Sequence, residues 1–164
     1  YNRVMSRVIH VVRHAQSEGH RHNRAEFGKE GGALLDAGIA EAKALKHKFL
    51  DLGIETKIEP VAISELKRTY QTAMYAGFTN ITKYPSLNEV DSPLDPELIE
   101  NMIKRKELPE DALIRARAIL ANPPPENIWV THGLIIAGMA KELGIPPDQL
   151  FIPAMGSIST IEIK

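Results

Sequence analysis

The stretch that decides the fold is Val8-Ile9-His10-Val11-Val12, which is followed directly by Arg13-His14. Its β-branched and apolar residues predict a strand buried on both faces of a sheet. His10 interrupts the run, and we expect it to be a satisfied histidine of the core or of a sheet edge. A second run, Ile128-Trp129-Val130-Thr131, ends at His132. Two strands that each end on a histidine can bring both imidazoles to one rim of a sheet.

The rest of the chain alternates helical and extended patterns. Helical spacing of apolar residues predicts helices at residues 36–51, 65–76, 97–105, 110–121 and 134–143. Asp36 is the predicted N-cap of the first helix. Short apolar runs predict further strands at residues 60–64, 81–84, 127–131 and 157–163, the last of which suits a sheet edge. This order predicts an α/β fold in which helices cover a mostly parallel sheet, with ligands beyond the carboxyl ends of the strands.

The bulk composition narrows the class of protein. We expect a single domain over residues 1–164, large enough to bury a core without a metal or a disulfide. The absence of cysteine excludes disulfides, thiolate zinc sites and cysteine nucleophiles. The 20 basic residues balance 21 acidic ones, so the charge predicts no nucleic-acid partner. The apolar runs are too short for a membrane span and no signal-peptide pattern is present, so we expect a cytoplasmic protein without a membrane partner.

The charged residues near the predicted strand ends suit a phosphoryl group. Arg13 and Arg68 would bring two guanidinium groups to the rim that carries His14 and His132. The planar arginine fork pairs with phosphate oxygens and stays charged. A neutral imidazole is an available nucleophile near neutral pH. These residue types together predict a phosphoryl-transfer enzyme.

Five blocks of the sequence carry a family resemblance. In chain order they are Val12-Arg13-His14-Ala15-Gln16-Ser17-Glu18, Leu35-Asp36-Ala37-Gly38 through Ala42, Ser64-Glu65-Leu66-Lys67-Arg68-Thr69-Tyr70-Gln71-Thr72-Ala73, Leu87-Asn88-Glu89 and Thr131-His132-Gly133. The ordered set resembles the motifs of the histidine phosphatase superfamily, which includes the phosphoglycerate mutases. The resemblance implies a three-layer α/β/α sandwich with a mostly parallel central sheet. It also implies a metal-independent phosphatase without a cofactor.

The resemblance implies a role for each residue of the phosphate pocket. His14 is the catalytic nucleophile that becomes phosphorylated. Arg13, Arg68 and His132 are catalytic residues that bind the phosphoryl oxygens. Ser17 falls where the family often has a serine or threonine that lines the pocket.

The acid and the main-chain donors complete the predicted site. By resemblance, Glu89 protonates the leaving oxygen and then activates water, and Asp91 is the nearby alternative. The backbone N–H groups of Gly133 and Leu134 follow His132 at a predicted helix N-terminus, where they could also face the anion.

Two positions depart from the family pattern. Ala15 stands where the family has glycine, and it adds strain only if the position needs a positive φ or a close backbone approach. His20 stands where the family often has asparagine. The segment His20-Arg21-His22-Asn23-Arg24 is either a solvated loop or a basic rim that attracts an anionic substrate. Its histidines match no zinc spacing and its arginines repel cations, so we predict no metal.

Three functions stay open at this point. The favoured one is hydrolysis of phosphomonoesters, or of protein-borne phosphate, through a phosphohistidine on His14, with a phosphorylated small molecule or a phosphoprotein as substrate. The first alternative is a mutase of the phosphoglycerate mutase type, and the second is a non-catalytic domain that binds a phosphorylated ligand. About sixty residues separate Arg68 from His132. A segment this short predicts a small lid that excludes water poorly, which favours hydrolysis.

Overall fold

A computed structural model describes residues 6–18, 30–90 and 96–164 of the chain. Its strands are β1 (Arg7–Arg13), β2 (Val61–Ile63), β3 (Ile81–Lys83), β4 (Ile128–Thr131) and β5 (Ile158–Ile163). Its helices are α1 (Asp36–Asp51), α2 (Lys67–Tyr75), α3 (Pro96–Lys104), α4 (Glu110–Ala121) and α5 (Gly133–Glu142), with a short 3₁₀ helix at Pro85–Leu87. The predicted alternation of strands and helices is confirmed, and no element boundary differs by more than two residues.

The five strands form one sheet in the order β3-β2-β4-β1-β5. Neighbouring strands run parallel except β5, which pairs antiparallel with β1 at the edge of the sheet. The predicted mostly parallel sheet and the edge position of the last strand are therefore confirmed. Arg13 lies opposite Thr131 in the β1–β4 register. The two strands thus end at the same level, and the residues that follow them share one rim.

Side chains on the two faces of the sheet pack against different pairs of helices. On one face, β-strand residues such as Val11 and Trp129 pack against α4 and α5. On the other face, residues such as Val12 and Val130 pack against α1 and α2. Because successive strand residues point to opposite faces, the sheet lies between two helical layers, as expected for an α/β/α sandwich.

The prediction that β1 is buried on both faces is wrong at its amino end. Val8 is 53% exposed, whereas Val12, on the same face, is fully buried. The α1–α2 layer therefore covers only the carboxyl half of the strand. His10 lies between the two, half-buried, with its Nδ1 3.0 Å from the Thr160 hydroxyl of β5, which confirms a hydrogen-bonded histidine.

The N-cap prediction for α1 is also wrong. Leu35 occupies the cap position with extended backbone, and no side chain caps the helix. Asp36 is the first helical residue, where its carboxylate interacts favourably with the positive end of the helix dipole.

Within the described part of the chain, no helix has the length and apolar character needed to cross a bilayer.

Candidate active site

The rim formed by β1 and β4 brings the two predicted histidines together. His14 follows β1, and its backbone N–H donates to the Thr131 carbonyl at 3.1 Å. His132 follows β4, and the centroids of the two imidazole rings are 5.2 Å apart. Both side chains are buried. The shared strand register is what places these distant residues side by side, as the sequence predicts.

The His14 ring has a defined tautomer. Its Nδ1 lies 2.8 Å from the carbonyl oxygen of Ala15. A carbonyl only accepts hydrogen bonds, so Nδ1 carries a proton, and in the neutral ring the lone pair is on Nε2. Ala15 is itself held, because its N–H donates to the Thr72 hydroxyl at 3.0 Å. Among the described non-glycine residues only Lys106 has a positive φ, so the alanine in place of the family's glycine carries no strain from a positive φ.

Arg68 lies in the first turn of α2 with only 1% of its surface exposed. Burial lowers the pKa of its guanidinium, the charge of Glu89 raises it, and the charge of Arg13 lowers it again. Arginine nevertheless stays protonated in proteins. No described residue accepts a hydrogen bond from its Nε or Nη2. A buried cation with unsatisfied donors is costly, and an anion at this position would remove that cost.

Arg13 lies beside the start of α5. Its Nη1 donates to the Pro153 carbonyl at 2.7 Å. A Cβ at Gly133 would lie 2.9 Å from Arg13 Nε, so glycine is what allows the arginine to pass this close to the helix N-terminus. Leu134 is half-buried and packs against Leu108 and Leu113. Gly133, the first of the two predicted main-chain donors, therefore lies next to one of the two guanidinium groups.

His132 is neutral. It is fully buried, and burial, followed by the charges of Arg68 and His14, lowers its pKa well below the ordinary 6.5. Its Nε2 lies 3.0 Å from the Ser64 hydroxyl, which holds that edge of the ring. Its Nδ1 lies 4.0 Å from Glu89 Oε2 and has no hydrogen-bond partner among the described residues. The ring thus presents its Nδ1 edge to the cluster of ionisable side chains that consists of Arg13, His14, Arg68 and Glu89.

Glu89 is placed by the 3₁₀ helix that precedes it. The Leu87 carbonyl accepts a hydrogen bond from Thr131 at 2.7 Å, which ties this segment to β4. The Glu89 side chain is 17% exposed, and its Oε1 accepts the N–H of Val90. Burial raises the pKa of this carboxyl, although that hydrogen bond and the charges of Arg68 and Arg13 lower it. A carboxyl that keeps its proton to higher pH suits a general acid.

Some of the predicted residues have a less direct connection to this cluster. Ser17 is buried and forms an isolated antiparallel bridge with Leu34, and its proposed contact with phosphate stays a prediction. Asp91 and the segment at residues 20–24 lie outside the described residues. Among the residues described, no three histidine, aspartate or glutamate side chains are grouped closely enough to hold a metal.

Sequence reasoning missed three residues that shape the site. Ser64 and Thr72 hold His132 and Ala15, and both lie inside the second motif block, so their block position was the available signal. Arg115 of α4 donates to the Pro85 carbonyl at 3.2 Å. Its charge also lowers the pKa of Glu89 and of His132, which places a third guanidinium near the cluster. No motif in the sequence pointed to Arg115.

Comparisons with known proteins agree with this architecture. Residues 9–115 match the model of the histidine phosphatase superfamily, branch 1. The fold is similar to that of TTHB049 from Thermus thermophilus, with a TM-score of 0.68 and 21% identity over 94% of this chain and 93% of that one. It is also similar to a phosphoglycerate mutase from Thermus thermophilus, with a TM-score of 0.64 and 21% identity over 94% and 92%.

A third similar structure is that of a candidate alpha-ribazole-5′-P phosphatase from Escherichia coli. Its TM-score is 0.60 and its identity 20%, over 96% of this chain and 90% of that one. Among curated proteins, no sequence matches the chain. At these identities the structural likeness shows the fold, and the chemistry has to be argued from the residues.

Proposed function

The chain belongs to the histidine phosphatase superfamily, branch 1, and from this premise we propose that it hydrolyses phosphomonoesters, or protein-borne phosphate, through a phosphohistidine on His14. The observation that carries the proposal is the hydrogen bond from His14 Nδ1 to the Ala15 carbonyl. In the neutral ring this bond leaves the lone pair on Nε2, and the buried guanidinium of Arg68 lies in the same cluster. The cluster supplies both a nucleophile and charge for an anion.

In the first half-reaction the Nε2 lone pair of His14 attacks phosphorus. The bond between phosphorus and the ester oxygen breaks, and its electron pair leaves with that oxygen. The carboxylic acid of Glu89 gives the oxygen a proton, so the alcohol departs neutral. Arg13 and Arg68 pair with the non-bridging oxygens, where charge accumulates in the transition state. The raised pKa of Glu89 supports this role because it favours the protonated acid.

In the second half-reaction water attacks the phosphohistidine. The bond between phosphorus and Nε2 breaks, and its electron pair returns to the ring of His14. The Glu89 carboxylate takes the proton of the water, which restores the acid for the next cycle. The pKa of His132 is lowered well below 6.5, which favours the neutral ring. A neutral His132 would contribute a hydrogen bond and not a third positive charge.

The main alternative is a mutase, in which the phosphoryl group returns to a substrate oxygen instead of to water. It is favoured by the likeness of the fold to a structure named phosphoglycerate mutase. The short segment between Arg68 and His132 supports hydrolysis, because a small lid leaves the phosphohistidine open to water. The two functions separate on one measurement, which is whether inorganic phosphate or an isomeric phosphoester accumulates.

A non-catalytic binding domain was the other alternative. The feature of the sequence that favours it is Ala15 in place of the family's glycine. Since Ala15 does not occupy the left-handed region, that support is weaker. A domain that only binds would show no turnover of any phosphoester.

The test is hydrolysis of p-nitrophenyl phosphate by the wild type and by His14→Ala. The proposal expects the wild type to release phosphate and the variant to lose nearly all activity, on the order of a thousand-fold or more. His47→Ala is the matched control, because His47 is an exposed histidine of α1, outside the cluster. Wild-type activity that survives in His14→Ala would refute the proposal.

Two inhibitors test the mechanism further. Orthovanadate should inhibit, because it can take the trigonal-bipyramidal geometry of a transferring phosphoryl group. EDTA should leave the rate unchanged if the reaction proceeds without a metal. Strong inhibition by EDTA would argue for a metal-assisted hydrolysis instead.

A further inference from the structure

We propose that Glu41 of α1 is a positioning residue that acts on His14 through the peptide group between Ala15 and Gln16. This inference rests on the proposed function, because it concerns the reactivity of the histidine nucleophile. It assigns a role to a carboxylate that lies outside the phosphate cluster. Glu41 touches neither the imidazole nor the phosphate, and its influence passes along two hydrogen bonds.

Both ends of one peptide group are bonded. Its carbonyl oxygen, on Ala15, accepts the proton of His14 Nδ1 at 2.8 Å. Its N–H, on Gln16, donates to Glu41 Oε1 at 3.0 Å. The order is therefore carboxylate, peptide, imidazole. A carboxylate on the N–H side of a peptide polarises it and makes its carbonyl oxygen a stronger acceptor.

The polarised carbonyl has two consequences for the imidazole. It keeps a proton on Nδ1, so Nε2 is the nitrogen with the lone pair when the ring is neutral. It also stabilises the positive charge that develops on the ring when Nε2 bonds to phosphorus. An aspartate beside a catalytic histidine does the same by direct contact in serine proteases. Here a peptide group separates the carboxylate from the ring.

The packing holds Glu41 in this position. The side chain of Gln16 gives a second bond, from its Nε2 to Glu41 Oε2 at 3.2 Å. The Gln16 carbonyl accepts the N–H of Leu35 at 3.0 Å. Gln16 is therefore held by three hydrogen bonds, two to Glu41 of α1 and one to Leu35 at the cap position. Two glycines make room for this. A Cβ at Gly38 would overlap the Gln16 carbonyl oxygen, and one at Gly156 would lie 3.1 Å from Glu41 Cβ.

Glu41→Gln separates the charge from the geometry. The amide keeps an oxygen that accepts the Gln16 N–H, and the Gln16 side chain can rotate to present its own oxygen to the new amide. Only the negative charge is lost. We expect kcat/KM for p-nitrophenyl phosphate to fall about five- to ten-fold, with KM changed less than about two-fold, because a charge-assisted hydrogen bond is replaced by a neutral one.

The spectroscopic readout is the NMR resonance of the His14 Nδ1 proton in histidine-labelled protein. A strong hydrogen bond moves this proton downfield, so the proposal expects an upfield move in Glu41→Gln. Gln16→Ala should leave the resonance in place, because it removes the Gln16 side-chain bond and keeps the peptide. Glu126→Gln is the control, since Glu126 is a buried carboxylate bonded by Tyr84 at the other end of β4.

The outcomes are distinct from those that test the proposed function. A wild type without phosphatase activity would defeat the proposed function. The chemical shift of the His14 Nδ1 proton would still test whether Glu41 strengthens the hydrogen bond to His14. In an active enzyme, the upfield move together with the loss of kcat/KM supports the inference. Either change without the other overturns it. A shift in Gln16→Ala as large as in Glu41→Gln also overturns it, because the peptide would then not carry the effect.

Discussion

At Glu89, burial raises the pKa of the carboxyl, whereas the Val90 N–H and three nearby guanidinium groups lower it. Burial prevails and raises the pKa, so the acid form extends to higher pH than for an exposed glutamate. A general acid matters most when the leaving oxygen is a poor leaving group. We therefore expect Glu89→Gln to slow an alkyl phosphate by about a hundred-fold or more and p-nitrophenyl phosphate much less. The measurement is kcat/KM for a series of leaving groups.

The same series provides its own control. If all substrates slow by one factor, proton donation belongs to another residue and Glu89 contributes only charge. Asp91 would then be the next residue to replace, since it is the other acid of this segment.

Gly31 tests whether the Arg68 guanidinium is held in place by its surroundings. Gly31 has φ of +79°, and a Cβ there would lie 3.0 Å from Arg68 Nη1. Alanine at this position is expected to lower the free energy of unfolding by about 1–2 kcal/mol through backbone strain. By displacing the guanidinium it should also weaken inhibition by orthovanadate about ten-fold. Chemical unfolding and inhibition constants measure the two effects.

Gly53→Ala separates strain from displacement. Gly53 has φ of +77°, and a Cβ there meets no atom within 4 Å. It should therefore lose comparable stability and bind orthovanadate normally. If orthovanadate inhibits Gly31→Ala as strongly as Gly53→Ala, the Arg68 side chain adjusts freely and is not pre-positioned.

At the scale of elements, α4 and α5 pack tightly against each other at Gly138. A Cβ at Gly138 of α5 would lie 2.9 Å from the Ala112 carbonyl and 3.1 Å from Ala116 Cβ, both on α4. Gly138→Ala should therefore destabilise the protein by about 1–2 kcal/mol, because overpacking outweighs the roughly 1 kcal/mol by which alanine favours a helix. The measurement is the midpoint of urea unfolding.

An exposed helical position prefers alanine, unlike Gly138. The reverse substitution, Ala44→Gly in α1, should therefore destabilise the protein by about 1 kcal/mol, because no packing opposes the helix preference of alanine there. Increased stability of Gly138→Ala would mean that α4 and α5 can move apart without cost.

Hydrophobic periodicity was sufficient to predict the elements. In the described part of the chain, apolar spacing located the five strands and the five α-helices, because the sheet and the helices bury continuous faces. It did not locate the 3₁₀ helix Pro85–Leu87. It did not predict that Val8 is exposed, because the burial of this residue depends on where the α1–α2 layer ends. The N-cap prediction at Asp36 was also wrong, because the chain enters the helix with Leu35 extended. Both errors concern contacts made by other parts of the chain, which local pattern does not contain.

The candidate site divides in the same way. His14 and His132 were predictable because each follows a strand, and parallel strands share a rim. The roles of Ser64 and Glu41 were not, because each depends on a bond to a residue distant in the sequence. A serine and a glutamate without that partner are ordinary polar residues. Only the fold shows that one holds an imidazole and the other a peptide group.

For the whole molecule, the buried site links stability to pH. The folded-state pKa of His132 is well below 6.5, so the unfolded chain binds a proton in this window that the folded protein does not. The free energy of unfolding therefore rises with pH up to about 6.5 and is lost as pH falls below it, by at most about 1.4 kcal/mol per pH unit. Glu89 acts in the opposite sense. Its raised pKa lets the folded protein keep a proton above pH 4.5 that the unfolded chain releases.

The two contributions overlap in pH and oppose each other, so the wild type alone does not separate them. We expect His132→Asn to remove the histidine contribution. The wild type then loses stability as pH falls from about 6.5 to 5 and the variant does not, so the unfolding free energy of the variant minus that of the wild type becomes more positive. Glu89→Gln should remove the second and give a difference of opposite slope. Urea unfolding of the three proteins between about pH 5 and 7.5 measures both. If the unfolding free energy of His132→Asn has the same pH dependence as that of the wild type, the fold does not hold the imidazole neutral. His132 would then add a third positive charge, beside Arg13 and Arg68, to the mechanism.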